Sequence, residues 1–271
     1  MNSGNSCLSA HAICLRRVLL LSSVLFLGLA GAGCSTTSPI VTSGDVTQAP
    51  DPFEKVNRAS LSVNLAIDKV VMRPINTVYR TLVPEPGRQA FSNVYENSRS
   101  PVILLNDLLQ GEPKRAGQTL ARFLINSTVG VGGLLDVAAA NGIPRHYEDF
   151  GQTLGVWGVK NGPYVVVPLL GPTTFRDGVG MAVDVLTDPL FWLFGGFGTN
   201  TDEGWAYMGG SMLIAYDSNR DDFEELQRSS IDLYSALRSA YLQHRQSELL
   251  NGGAADPNSL PDILDDLPPI E

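Results

Sequence analysis

Cysteine and histidine are scarce in this chain, with three of each in 271 residues. Cys7 and Cys14 fall in an N-terminal stretch with the layout of a secretory signal, which leaves Cys34 alone once that stretch is removed. A disulfide framework and a cysteine-based metal site are thereby excluded. The same removal leaves only His146 and His244, and neither H-x₃-H nor H-E-x-x-H spacing occurs, so a zinc centre has no ligand set. His146, close to Glu148 and Asp149, is the better candidate for a general base. No G-x-S-x-G elbow accompanies it, and Ser211 in GGSML lacks the second glycine. A histidine beside carboxylates in that context reads as a surface residue. The chain reads as no enzyme, with no cofactor.

Positive charge is also lacking. The net charge is −9, and removing a signal that holds Arg16 and Arg17 but no acid takes it to −11. That excludes a nucleic-acid footprint and a polybasic membrane patch. Lipid, if met, is met through apolar surface. A dinucleotide loop is missing as well: STVGVGGLLDVA supplies Gly130 and Gly132, but Leu135 stands where the third glycine belongs. No internal repeat is visible, and no apolar run reaches the ~20 residues of a spanning helix.

What is present begins with the leader. Arg16 and Arg17 precede the uncharged run Val18 to Gly33, whose small residues end directly on Cys34 in LAGAGC. This resembles the bacterial lipobox, with Gly31 at the position where leucine is commonest. The resemblance implies cleavage before Cys34 and acylation of that cysteine, palmitate included. Two or more acyl chains give a stable anchor, since each buried CH₂ contributes ~0.8 kcal/mol. Ser35, rather than aspartate, follows the cysteine, which by analogy with enterobacterial lipoproteins directs the protein to the outer membrane. Residues 1–33 are therefore expected to be the signal peptide. Residues 34–50, rich in Ser, Thr and Pro, are a flexible tether. A helical domain spans 51–250, and 251–271 form an acidic, Pro-rich, disordered tail.

The domain reads as short helices. Asp51-Pro52 resembles a cap followed by a first-turn proline, and Pro74, Pro86, Pro101 and Pro113 each precede a helical pattern. Short helices separated by few residues must turn sharply on one another, in a bent or annular arrangement. YVVVPLL is the one strand-like run, and Pro168 argues against a central strand. Asp221 to Leu250 reads as the longest helix, with Phe223, Leu226, Leu233, Leu237 and Tyr241 on one face and Glu224 four residues before Arg228.

Two stretches carry an open question. In VGMAVDVLTDPLFWLFGGFGTN, Phe191, Trp192, Phe194 and Phe197 crowd onto a short, interrupted apolar segment. Composition alone reads it as buried core; the aromatic crowding suits the bilayer interface. EDFGQTLGVWGVKNGPY places Gly151, Gly155, Gly158 and Gly162 around Trp157, which suits either a phosphate cradle or a backbone bend.

DPFEKVNR at 51–58, NDLLQG at 106–111, RFLINSTVGVGGLLDVA at 122–138 and the glycine-rich run 148–180, behind the lipobox, resemble the MlaA/VacJ family of lipoproteins. That resemblance implies a mainly α fold, its short helices arranged as a ring lying in the membrane plane around an amphipathic channel. It implies a role in outer-membrane lipid asymmetry: mislocalised phospholipid is removed from the outer leaflet and passed to the periplasmic carrier MlaC, in company with trimeric OmpC/OmpF-like porins. On this reading Gly151, Gly155, Trp157, Gly158 and Gly162 form a bend in the channel wall, and Asn126, Asp149, Gln152, Arg176 and Asp177 lie along the channel or brace it. The alternatives are a structural envelope lipoprotein that holds porins without moving lipid, and an envelope esterase using His146.

Overall fold

The computed structural model describes residues 51–194 and 202–251. The elements run, in order, α1 (Glu54–Ile67), a π-helical turn (Asp68–Met72), α2 (Arg73–Leu82), α3 (Glu85–Leu109), α4 (Pro113–Thr128), α5 (Val137–Ala140) and α6 (Phe150–Val156). There follow β1 (Tyr164–Val167), β2 (Gly171–Thr174), α7 (Phe175–Thr187), α8 (Pro189–Leu193), α9 (Asp202–Ser229) and α10 (Leu233–Leu249). The fold is mainly helical. Cys34, the tether, Phe197 and residues 252–271 lie outside the described residues.

Pro86 and Pro113 stand in the first turns of α3 and α4, where the missing N–H costs nothing, whereas Pro74 does not open a helix: α2 continues the π-helical turn without a break. Pro101 does not open a helix; it lies inside α3, which continues to Leu109. An internal proline costs ~3 kcal/mol. Val102, Ile103, Asn106 and Asp107 are buried immediately after it, and that packing holds the helix through the defect. The single helix expected over 221–250 is two, because Asp232 caps α10 by accepting the Tyr234 N–H at 3.1 Å. The Arg228 guanidinium pairs with the Glu225 carboxylate and reaches only the backbone carbonyl of Glu224, whose own carboxylate pairs with Arg220. Asp51 is not a cap either. Its carboxylate accepts from the Tyr234 hydroxyl at 2.5 Å and from Asn57 at 3.0 Å, and α1 starts at Glu54.

β1 and β2 form an antiparallel hairpin in register Tyr164↔Thr174, with Pro168 beyond the ladder. The open edge of β1 is covered by α1 side chains. Asn57 donates to the Tyr164 carbonyl (3.0 Å) and accepts from the Val166 N–H (2.9 Å). Ser60 donates to the Val166 carbonyl, while Asn64 donates to Val167 and accepts from the Leu169 N–H. A polar stripe on one helix thus stands in for a third strand and leaves no bare edge there. The apolar core beneath is small: Leu61, Tyr164, Val166, Tyr234 and Leu242.

Candidate functional site

Polarity is inverted in this molecule. Among the described residues, nine hydrophobic side chains are buried against twenty polar or charged ones, while thirty-three large apolar side chains are exposed. The helices show it individually. On α2, Asn76 is fully buried, whereas Ile75, Val78 and Leu82 face outward, Leu82 at 74% exposure. On α4, Thr119, Arg122 and Asn126 point inward and Leu120 and Leu124 outward. Amphipathic helices with the polar face inside suit a hydrocarbon surrounding, where buried polar groups must satisfy one another. No helix among the described residues is long and apolar enough to cross a membrane.

The interior is built from linked polar clusters. In the first, the carboxylate of Asp136 accepts two bonds from Arg122 (2.8 and 2.9 Å), one from Arg145 (2.9 Å) and one from Asn126 (3.0 Å), and caps α5 at the Ala139 N–H. Burial pushes this carboxyl up, but the two guanidiniums and the amides outweigh it and hold it well below its ordinary range. The glycine run before Asp136 serves a reversal: Gly132 and Gly133 have φ of +70° and +96°, and a Cβ on Gly133 would meet Asn97 at 2.7 Å.

The second cluster joins α6, α7 and α10. Arg245 grips Asp149 with two nitrogens (2.6 and 3.0 Å) and reaches Asp177 at 2.9 Å. Asp177 also accepts from Arg176, Tyr241 and Thr174. Burial would raise the Asp177 pKa, yet Arg245 and Arg176 bring it down to about 2. Gln152 is fully buried beside Asp149, its N–H donating to that carboxylate at 2.8 Å.

Between these lies a chain of bonds along α3. Asn106 donates to Asp184 (3.1 Å) and accepts from Thr153 (2.8 Å), and Gln110 donates to Thr153 and to Glu148. Arg115 also pairs with Glu148. His146 is inside, not on the surface: its Nε2 lies 3.1 Å from both Asp107 and Thr119. One nitrogen makes both contacts, so the three groups form a closed knot rather than a relay to a nucleophile. Among the described residues no group of three or more His, Cys, Asp or Glu could hold a metal ion.

The residues singled out from sequence separate accordingly. Asn126 belongs to the first cluster; Asp149, Gln152, Arg176 and Asp177 meet in the second. Gly151 and Gly155 are in α6, and Gly158 and Gly162, with φ of +88° and +69°, turn the chain after it. The close approaches are at Gly151, where a Cβ would meet Asp177 at 2.7 Å, and at Gly155, where it would meet Leu249 at 2.6 Å and Arg176 at 2.9 Å. Trp157 is 47% exposed on the apolar exterior, its Nε1 donating to the Leu109 carbonyl. On α8, Trp192 is exposed and Phe191 packs edge-on against it, while Phe194 stacks on Tyr207. Arg245 and Asn57, hubs of the interior, had no signal beyond their polar type at a helical position.

The model of the family described as MlaA lipoprotein matches residues 49–248. The chain belongs to the MlaA lipoprotein family. "Intermembrane phospholipid transport system lipoprotein MlaA" of Shigella flexneri is 34% identical over 263 residues, covering 93% of this chain and 96% of that one. The Escherichia coli K12 protein of the same name matches equally, and that of Haemophilus influenzae is 32% identical over 248 residues, covering 89% and 95%. A solved structure reported as the structural basis for maintenance of bacterial outer membrane lipid asymmetry superposes with a TM-score of 0.62 at 32% identity, covering 72% of this chain and 97% of that chain. The motifs that mark the MlaA family in this sequence supply the interior: Asn57 from the first, Asn106 and Asp107 from the second, Arg122, Asn126 and Asp136 from the third, Glu148 to Thr153 from the fourth.

Proposed function

We propose that the protein is an outer-membrane lipoprotein, anchored through acylated Cys34, that takes mislocalised phospholipid from the outer leaflet and releases it toward the periplasm. Its helices lie as a ring in the plane of the bilayer around an amphipathic channel, with trimeric porins beside it and the carrier MlaC receiving the lipid. The observation that carries this reading is the inverted polarity: an apolar outside that hydrocarbon can surround, and a polar inside that a headgroup can enter. The closed clusters of Asp136 and Arg245 brace the wall, and Gly158 and Gly162 bend the chain away from α6. Energy comes from partners, since no phosphate-binding loop is present in the sequence.

The test is surface-exposed phospholipid on intact cells lacking the protein, with re-expression of the wild type or of Cys34→Ala. Outer-leaflet phospholipid should rise on deletion and fall only with the acylatable form. Unchanged exposure would remove the transport reading and leave a structural lipoprotein that accompanies porins.

A further inference from the structure

Between α1 and β1 runs an apolar groove of about 490 Å³. Phe53, Val56 and Val63 of α1 form one wall, and Val165, Val167 and Pro168 form the other. Asn57 and Ser60 also reach it, but their polar groups bond to the edge of β1, so nothing in the groove calls for water. Those bonds, with two more from Asn64, fix the helix to the strand and so fix both walls. A space of ~150 Å³ holds a benzene, so this one has room for about eighteen carbons, the size of one acyl tail.

The two ends of the groove differ. Beside Phe53 stand Glu54 and Arg58, which are exposed and paired with each other, and Arg58 also pairs with exposed Asp232. Beyond Pro168 stand Leu169 and Leu170, uncharged and 58% and 63% exposed. Leu169 has φ of +69°, a conformation that favours glycine. Its N–H is held by Asn64 at 2.8 Å, while its side chain buries little inside the molecule. A leucine that strains the backbone and packs on little within gains its contact from outside.

On a surface in hydrocarbon such a groove does not stay open. Left empty, it forfeits dispersion contacts along both walls, and water finds no partner in it. Resting on the transport reading above, we infer that the groove between α1 and β1 binds one acyl tail of a bilayer phospholipid, with the headgroup at the Phe53 end beside the exposed charges and the methyl end at the tip formed by Leu169 and Leu170. Because the walls are preformed, the tail is held in one orientation rather than as part of a fluid shell.

The test uses the full, acylated protein in phosphatidylethanolamine vesicles that contain a phospholipid with a diazirine near either the methyl end or the ester end of its tail. After illumination, labelled peptides are mapped by mass spectrometry. The methyl-end probe should label residues 168–170, and the ester-end probe residues 53–56. Ala59 also lines the groove. Ala59→Trp fills it and should cut both labels to the level found on the outward face of α4 at Leu120 and Leu124, with helicity by circular dichroism unchanged. Leu169→Gly relieves the backbone, so the melting temperature should rise while methyl-end labelling falls. Labels that ignore both variants, or that appear with the ends reversed, overturn the site. So does labelling of the groove only in Cys34→Ala, which would make the protein's own anchor the occupant. Label at Leu120 and Leu124 with none in the groove overturns the site and leaves the transport reading standing. No label anywhere overturns both.

Discussion

A Cβ added to Gly180 would lie 2.2 Å from the backbone nitrogen of Gly151, so α7 crosses α6 main chain against main chain. That approach brings Asp177, at the start of α7, and Asp149, capping α6, within reach of the single guanidinium of Arg245. A larger residue at either glycine separates two carboxylates from the cation that neutralises them.

Gly180→Ala should therefore be severely destabilising, by ~3 kcal/mol or more, because backbone on both sides has nowhere to move. Gly178→Ala, on the same helix with nothing within 4 Å of its added Cβ, should be neutral or stabilising by up to ~1 kcal/mol. Thermal unfolding in detergent of the two variants side by side checks this. Equal stability would mean that the helices do not cross at this point.

Asn57→Leu should cost ~3 kcal/mol or more. It strands the Tyr164 carbonyl and the Val166 N–H, both at the edge of β1, away from water. Hydrogen exchange at Val166 reads the effect locally. Protection lost there, with α3 and α4 unchanged, is the expected pattern.

Asp184 makes stability depend on pH in a defined direction. Burial raises its pKa to about 6, against the help of the Phe150 N–H and Asn106. The folded state thus holds this proton more tightly than the unfolded chain, whose carboxyl has the ordinary value near ~4. The resulting stabilisation is full below about pH 4 and is lost as pH rises through about 6. Asp184→Asn keeps an acceptor for the Phe150 N–H and should flatten the melting temperature between pH 4 and 7. A wild-type profile already flat across that window would contradict the burial of this carboxyl.

The three tryptophans of the chain, Trp157, Trp192 and Trp205, are all exposed on the apolar exterior. In vesicles their emission should be blue-shifted, and brominated acyl chains should quench most of it. Three exposed tryptophans in water give red-shifted emission that brominated lipid leaves alone, so the two environments cannot be confused. Single-tryptophan variants assign each signal.

Much of this architecture was legible in the linear chain. Prolines at 86 and 113 open helices because local backbone geometry alone decides that, and the motifs that mark the family are contiguous. The polar residues at helical spacing, such as Thr119, Arg122 and Asn126, could be read as one stripe. Which way that stripe faces could not. Periodicity defines two faces of a helix, and only contact with other segments says which is inside. For Phe191, Trp192 and Phe194 the same ambiguity between core and interface stood open for that reason. Pro101 runs through a helix because packing outweighs a local penalty. The 221–250 pattern breaks because Asp232, which caps α10, also binds Arg58, 174 residues away. Arg245 becomes the hub of the interior by meeting Asp149 from 96 residues away. Local chemistry in the sequence determined where the helices start and which of their residues are polar. The tertiary structure decided that polar faces inward, because each buried charge must find its counter-charge from another segment.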